Sequence, residues 1–377
     1  MYVGYARNHK EIQLAIKLAA ETFLLNQKPD LAIENKGVAM SFGTDLKNSD
    51  VIVMVGDNNE LIGTCFLIDR FFIKESLRLK GTFLSSICIQ KLARGKGLSK
   101  KLMTYALEAC ERRNSDFAIL IARKAVDYFY LKFGFWGISA YSRLNFKLKK
   151  NDFIEDLYKV EPITRSDLSR VGKIYTNVYL RLNGACERSS DHWNHILWNA
   201  QRQGVSFMGF KKKQSVVGYI LSNGSEIYEI GANSHTNYLD LLASFQCKSF
   251  SNDLTLHASI EHPILAELGD VDFSTVSRQC NYGGHMVKII AVEKLSEILR
   301  KKILINCDSE IKCGNEVMFN DFGIDFRERD AFVSSNTSVD DHKNTCHLMG
   351  ASYLSVDQRV LTLLQLRPFN ILHFDQI

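Results

Sequence analysis

The chain has 377 residues, of which 46% are apolar and 24% charged, with 23 glycines, four prolines and a formal net charge of +5. At roughly 100–200 residues per domain this length predicts two or three folded units, and the apolar fraction excludes a disordered, collagen-like or low-complexity chain. The small, scattered positive surplus argues against a nucleic-acid binder, and no apolar run approaches the roughly 18–20 residues of a membrane span.

Residues 11–25 place Ile12, Ile16, Ala19 and Phe23 at helical spacing, and a polar loop follows. Residues 51–55 and 61–68 read as strands around Gly56-Asp57-Asn58-Asn59, and residues 82–89 as a buried strand. Gly95-Lys96-Gly97 then opens an amphipathic helix on Leu98, Leu102, Ala106 and Ala109 that ends near Asn114. A strand over 117–121, a short helix and Gly134 complete a mixed α/β unit. Beyond the charged stretch 147–156, a helix over 166–182, strands over 205–210, 216–221 and 227–230, a helix over 238–247 and a strand over 254–260 repeat that order without a Gly-rich turn. His192, Trp193, His195 and Trp198 are expected on one helix with its aromatic face on a core. Gly283-Gly284 marks the next boundary, after which a strand from Met286, a helix over 292–301, short strands, a polar loop over 334–344 and an apolar tail read as a smaller α+β unit. The expected domains are 1–150, 151–284 and 285–377.

Nine cysteines without a Cys-x-x-Cys pair fit reduced, buried thiols, and no metal motif is present, so no metal is expected. The N-terminus lacks a basic start followed by an apolar core, which predicts a cytoplasmic protein without a membrane partner.

The chemistry concentrates in Ile87-Cys88-Ile89-Gln90-Lys91-Leu92-Ala93-Arg94-Gly95-Lys96-Gly97-Leu98-Ser99. A strand entering a Gly-rich turn and then a helix leaves backbone N–H groups unpaired at the positive end of the helix dipole. That is a cradle for a pyrophosphate, to which Arg94, Lys96 and Lys100 add charge-assisted contacts. The spacing is neither a Walker A loop nor Gly-x-Gly-x-x-Gly.

Arg94-Gly95-Lys96-Gly97-Leu98-Ser99 resembles the Arg/Gln-x-x-Gly-x-Gly/Ala signature of the GCN5-related N-acetyltransferase (GNAT) superfamily, with Ser99 in place of the last small residue. Asp127-Tyr128-Phe129-Tyr130-Leu131-Lys132-Phe133-Gly134-Phe135 is similar to that superfamily's second motif, with Tyr130 lying 36 residues after Arg94. The whole layout, with Trp193 and Trp198, Gly218-Tyr219, residues 228–232 and Val287-Lys288-Ile289-Ile290, resembles the Eis (enhanced intracellular survival) family. The resemblance implies tandem GNAT-like domains, the second without a cofactor motif, followed by a sterol-carrier-protein-like domain. It implies acetyl-CoA with its pyrophosphate on residues 94–99, and backbone groups of Ile87, Cys88 and Ile89 along the pantetheine arm and thioester. It further implies Tyr130 as the general acid toward the leaving thiolate and the C-terminal carboxylate of Ile377 as general base, with Asp375 or His373 as substitutes because Ile377 replaces the expected aromatic residue.

The function so implied is transfer of acetyl to a small-molecule or lysine amine by direct attack in a ternary complex, in a homo-oligomer such as a hexamer. A ping-pong route through Cys88 is disfavoured because no histidine lies near it in sequence. The alternative is an acyl-CoA-binding sensor or scaffold without turnover, and lipid binding by residues 286–377 is a further option.

Overall fold

The computed structural model describes residues 1–41, 44–74, 77–123, 125–137, 139–147, 157–249, 253–258, 261–268, 271–280 and 284–291, together with strands at 316–319, 322–325 and 332–335. In chain order the first elements are β1 (Tyr2–Tyr5), α1 (His9–Phe23), α2 (Pro29–Ser41), β2 (Val51–Val55), β3 (Leu61–Lys74), β4 (Leu77–Ile89), α3 (Leu98–Arg112), β5 (Phe117–Ala122), α4 (Asp127–Leu131), β6 (Trp136–Gly137) and β7 (Ser139–Lys147). There follow β8 (Lys159–Pro162), α5 (Leu168–Tyr179), α6 (Ser190–Gln203), β9 (Ser206–Lys212), β10 (Ser215–Asn223), β11 (Glu226–Ala232), α7 (Tyr238–Ser249), β12 (Asp253–His257), β13 (Phe273–Cys280) and β14 (Gly284–Ile289). Strands β15 (Glu316–Phe319), β16 (Phe322–Asp325) and β17 (Phe332–Ser335) form a separate antiparallel meander.

Strand side chains alternate between faces, and β2 is buried on both. Val51, Val53 and Val55 pack with Phe66 and Cys88 under Ile12, Ile16 and Ala19 of α1, whereas Ile52 and Met54 pack with Leu84 and Ile89 under Leu102, Met103 and Ala106 of α3. The first sheet therefore lies between α1 with α2 on one side and α3 on the other. Asn8 starts α1 by accepting the Glu11 backbone N–H at 3.0 Å.

The two seven-stranded sheets have matching orders, β1-β2-β3-β4-β5-β14-β6 and β8-β9-β10-β11-β12-β7-β13. In each, the one parallel pair is β4 with β5 or β11 with β12. The sheets exchange a strand across both sequence-expected boundaries: β7 joins the second sheet between β12 and β13, and β14 joins the first between β5 and β6. An open β5 edge would leave buried backbone groups unpaired, and β14 covers it with Met286, Val287 and Ile289, all buried. The units also meet where the end of β3 pairs with the 184–187 segment: Ile73 N–H donates to Ala185 O at 2.9 Å and Glu187 N–H to Phe71 O at 2.8 Å. Among the described residues no helix is long and apolar enough to cross a membrane.

Several elements depart from the sequence expectations. Helix α2 replaces the expected polar loop, β1 adds an edge strand, and the β3–β4 hairpin extends well past 61–68 and 82–89. The strand expected from Met286 is β14, in the first sheet. The helix expected over 292–301 and the tail lie outside the described residues. The expected aromatic helix is α6, with His192, Trp193 and His195 buried.

Candidate active site

The site begins where two parallel strands part. β4 pairs with β5 only through Gly81↔Phe117, Thr82↔Ala118 and Phe83↔Ile119. Beyond that register, residues 84–89 present a β5-side edge without a β5 partner. The other edge of β4 stays on β3, where Thr64 faces Cys88 and Phe66 faces Ser85, so β4 carries one extra residue. Ser86 sits in that bulge with φ of 52°, left-handed for a non-glycine residue. Its hydroxyl donates to Met40 Sδ at 3.4 Å, tying the bulge to α2. Bulge and parting together create a wedge-shaped opening, lined on one side by backbone from Ile87, Cys88 and Ile89.

At the end of β4 the chain turns through Arg94, Gly95, Lys96 and Gly97 into α3. Gly95 and Gly97 have φ of 79° and 72°, and Gly97 is the N-cap of α3 with no side-chain cap. A Cβ at either glycine would meet nothing within 4 Å, so the glycine requirement is conformational and the space above the turn is open. Among the described residues no partner is found for the backbone N–H groups of residues 95–99, which fits the cradle to a pyrophosphate. Arg94 Nε donates to Ile89 O at 3.0 Å, fixing its stem at the wedge, while Lys96 and Lys100 are exposed and Leu98 and Ser99 half-buried. Replacing Gly97 by alanine forces a left-handed alanine, at about 1–2 kcal/mol. The expected outcome is an acetyl-CoA Kd about tenfold higher by calorimetry, and an unchanged Kd would contradict the cradle.

Tyr130 stands on α4 on the α3 side, half-buried, with ring centroids 5.2 Å from Phe129 and 6.2 Å from Phe135. Its carbonyl accepts the N–H of Phe133 at 3.0 Å and of Phe135 at 3.3 Å around Gly134, whose φ is 78°. That closed turn is what the Phe133-Gly134-Phe135 sequence signals. Burial, reinforced by the Cys65 thiol, pushes the phenol up to about 12, so it stays protonated at neutral pH. Among the described residues its hydroxyl has no hydrogen-bond partner, leaving the proton available to an incoming group. Ile377, Asp375 and His373 lie outside the described residues.

Cys88 is buried on the α1–α2 face of β4, and burial pushes its thiol up to about 11 despite Lys36 and Arg94 nearby. Little thiolate exists at neutral pH, which argues against a covalent route. Peptide mass spectrometry after incubation with acetyl-CoA and no amine is expected to show unmodified Cys88. An acetyl group on Cys88 would restore the ping-pong route.

The corresponding opening in the second unit is closed by its own side chains. β11 and β12 pair only at Glu226↔Thr255 and Ile227↔Leu256, after which the strands part. The exposed edge at Ile230 is capped twice: Tyr179 Oη donates to Ile230 O at 2.7 Å and accepts Ile230 N–H at 3.1 Å, and His262 Nε2 reaches Ile230 O at 3.1 Å. His262 Nδ1 accepts Ile264 N–H at 3.2 Å, so Nε2 carries the proton and is the donor. Where the first unit offers backbone to a ligand, the second has already used it. Sequence reasoning missed this closure because its partners lie 51 and 32 residues from Ile230. It also missed Lys36 and Arg123, whose cations lie 5.2 and 5.8 Å from the Phe23 ring centroid.

Residues 6–139 match the acetyltransferase (GNAT) domain family, so this part of the chain is a GNAT acetyltransferase domain. A comparison with curated proteins finds no match. Among solved structures the fold is similar to a GCN5-related N-acetyltransferase from Anabaena variabilis, with a TM-score of 0.65, 13% identity and 97% of each chain covered. It is also similar to a GCN5-related N-acetyltransferase from Kribbella flavida, with a TM-score of 0.59, 12% identity, and 100% of this chain and 98% of that one covered. Eis1 from Mycobacterium abscessus aligns with a TM-score of 0.56 and 14% identity over 79% of this chain and 76% of its own. At these identities the likeness concerns the fold.

Proposed function

We propose that the protein is an acetyl-CoA-dependent N-acetyltransferase of Eis-like layout, which transfers acetyl to a primary amine by direct attack in a ternary complex. The observation that carries this reading is the wedge between β4 and β5, ending on the unpaired N–H groups of residues 95–99 with Tyr130 at its side. The residues fit an acyl-CoA: Gly95 and Gly97 leave open space for phosphates, Arg94, Lys96 and Lys100 supply positive charge, and residues 87–89 supply a strand edge. Bound there, acetyl-CoA supplies an activated thioester.

The chain's own groups then do three things. Backbone N–H groups at the β4 edge hold the carbonyl and stabilise negative charge as the amine adds. Tyr130 donates toward the departing sulfur. The amine must be neutral to attack, so activity rises with pH as its proton is removed; the C-terminal carboxylate of Ile377, Asp375, His373 or water serves as acceptor in this proposal. The second unit, closed at Ile230, acts as a brace and as a wall of the acceptor crevice. A cytoplasmic homo-oligomer and a sterol-carrier-like C-terminal domain complete the Eis-like reading. Thiol release from acetyl-CoA across a panel of primary amines tests it: amine-dependent release is expected, and binding without release for every amine contradicts it.

A further inference from the structure

An extended ligand on the edge of β4 meets the residues of that strand in order. With phosphates on residues 95–99 and its arm along Ile89, Cys88 and Ile87, an acyl-CoA directs its acyl group at the next residue back, Ser86. Ser86 occupies the bulge with φ of 52°, and its hydroxyl donates to Met40 Sδ at 3.4 Å. Met40 reaches the bulge from the last turn of α2 and is 3% exposed. It packs in the same apolar cluster as Cys88 and Phe66, with Leu46 against it.

Met40 also lines a crevice of about 510 Å³, a volume within the range of small-molecule sites. Met40, Leu46 and Ile68 give the crevice an apolar stretch of wall. Charged groups around it are engaged with one another: Arg78 with Glu187 at 2.7 Å, and Arg113 with Asp50 at 2.7 Å and Asp69 at 2.9 Å. One side chain thus touches the bulge and lines the crevice. Its unbranched thioether suits the filling of an irregular gap, and shortening it removes the contact on both sides.

We propose that Met40 ends the acyl site: it limits the transferred group to acetyl or propionyl and keeps longer acyl chains out of the crevice. A longer chain extending past Ser86 has to displace the Met40 side chain and break its contact with the Ser86 hydroxyl. With Met40 shortened, the same chain passes the bulge into the crevice, where each buried methylene is worth about fourfold in affinity. The proposal rests on the acetyltransferase reading for the place of the thioester, but its test reads acyl-CoA binding alone and needs no acceptor.

Calorimetric titration of the protein with acetyl-, propionyl-, butyryl- and hexanoyl-CoA measures the dependence on chain length. The parent is expected to bind acetyl- and propionyl-CoA alike and hexanoyl-CoA about tenfold more weakly. Met40→Ala is expected to strengthen hexanoyl-CoA binding relative to acetyl-CoA by at least about tenfold, whereas Met40→Leu, which conserves volume, keeps the parent's order. The ratio of two Kd values within one protein is independent of the fraction folded, and Met40→Val gives the same direction of change should the alanine variant not fold. Equal binding of acetyl- and hexanoyl-CoA by the parent would overturn the proposal, and so would an unchanged ratio in the shortened variants. A parent that binds none of the four thioesters would overturn the cofactor site and the proposal with it. Chain-length selection that Met40→Ala relaxes, without thiol release for any amine, would overturn the acetyltransferase reading and leave the acyl stop standing.

Discussion

Arg188→Met is expected to lower stability by about 3–5 kcal/mol in urea unfolding, the largest loss from any single substitution considered. Arg188 meets Glu229 with two parallel bonds of 2.8 Å each, and the side chains are 0% and 1% exposed. Tyr219 Oη donates a third bond to the same carboxylate at 2.6 Å, and the guanidinium lies 4.0 Å from the Tyr175 ring centroid and 4.7 Å from that of Trp193. Removing the arginine strands a buried carboxylate without its counter-charge, whereas removing both charges does not. Arg188→Met combined with Glu229→Leu is therefore expected to recover most of the loss. A single variant within about 1 kcal/mol of the parent would show that the pair is not desolvated as described. This cluster seats α6 through Trp193, and His192 of that helix lines a crevice of about 510 Å³ together with Asp69 and Glu187.

Tyr130→Phe is expected to reduce kcat about 100-fold while leaving the acetyl-CoA Kd within about twofold. The substitution removes one oxygen and keeps the ring contacts with Phe129 and Phe135. Because burial raises the phenol's pKa to about 12, its acid form persists below that pH. The parent enzyme should then show no fall in rate from Tyr130 ionisation between pH 7 and about 10. A variant turning over within about threefold of the parent at saturating acetyl-CoA would remove Tyr130 from the chemistry.

The parts of this site legible in the sequence are local. Gly95 and Gly97 declare positive φ at a helix start, and Phe133-Gly134-Phe135 declares the turn after Tyr130, so both turns could be read from short spacings. The alternating order of strands and helices carried the mixed α/β fold and its repeat. What stayed hidden depends on distant partners. Helix α2 buries only Ala32 and Met40, so its apolar residues trace no stripe and it read as a loop, taking Lys36 with it. The outer hairpin arms carry Asp69, Arg70, Lys74, Arg78 and Lys80, whose charges masked strand character; Asp69 and Lys80 are tied by a 2.9 Å ion pair. The exchange of β7 and β14 is a matter of which sheet edge needs a partner, and no local pattern encodes it.

Among the described residues the opening between β4 and β5 is free of side-chain caps over residues 84–88, whereas its counterpart between β11 and β12 is closed at Ile230. Calorimetric titration of acetyl-CoA into the protein measures whether one opening or two take the cofactor. One site per chain, weakened by Gly97→Ala, is the result expected from the open β4–β5 wedge and the Tyr179 and His262 caps on Ile230. Two sites per chain, or binding indifferent to Gly97→Ala, would contradict it.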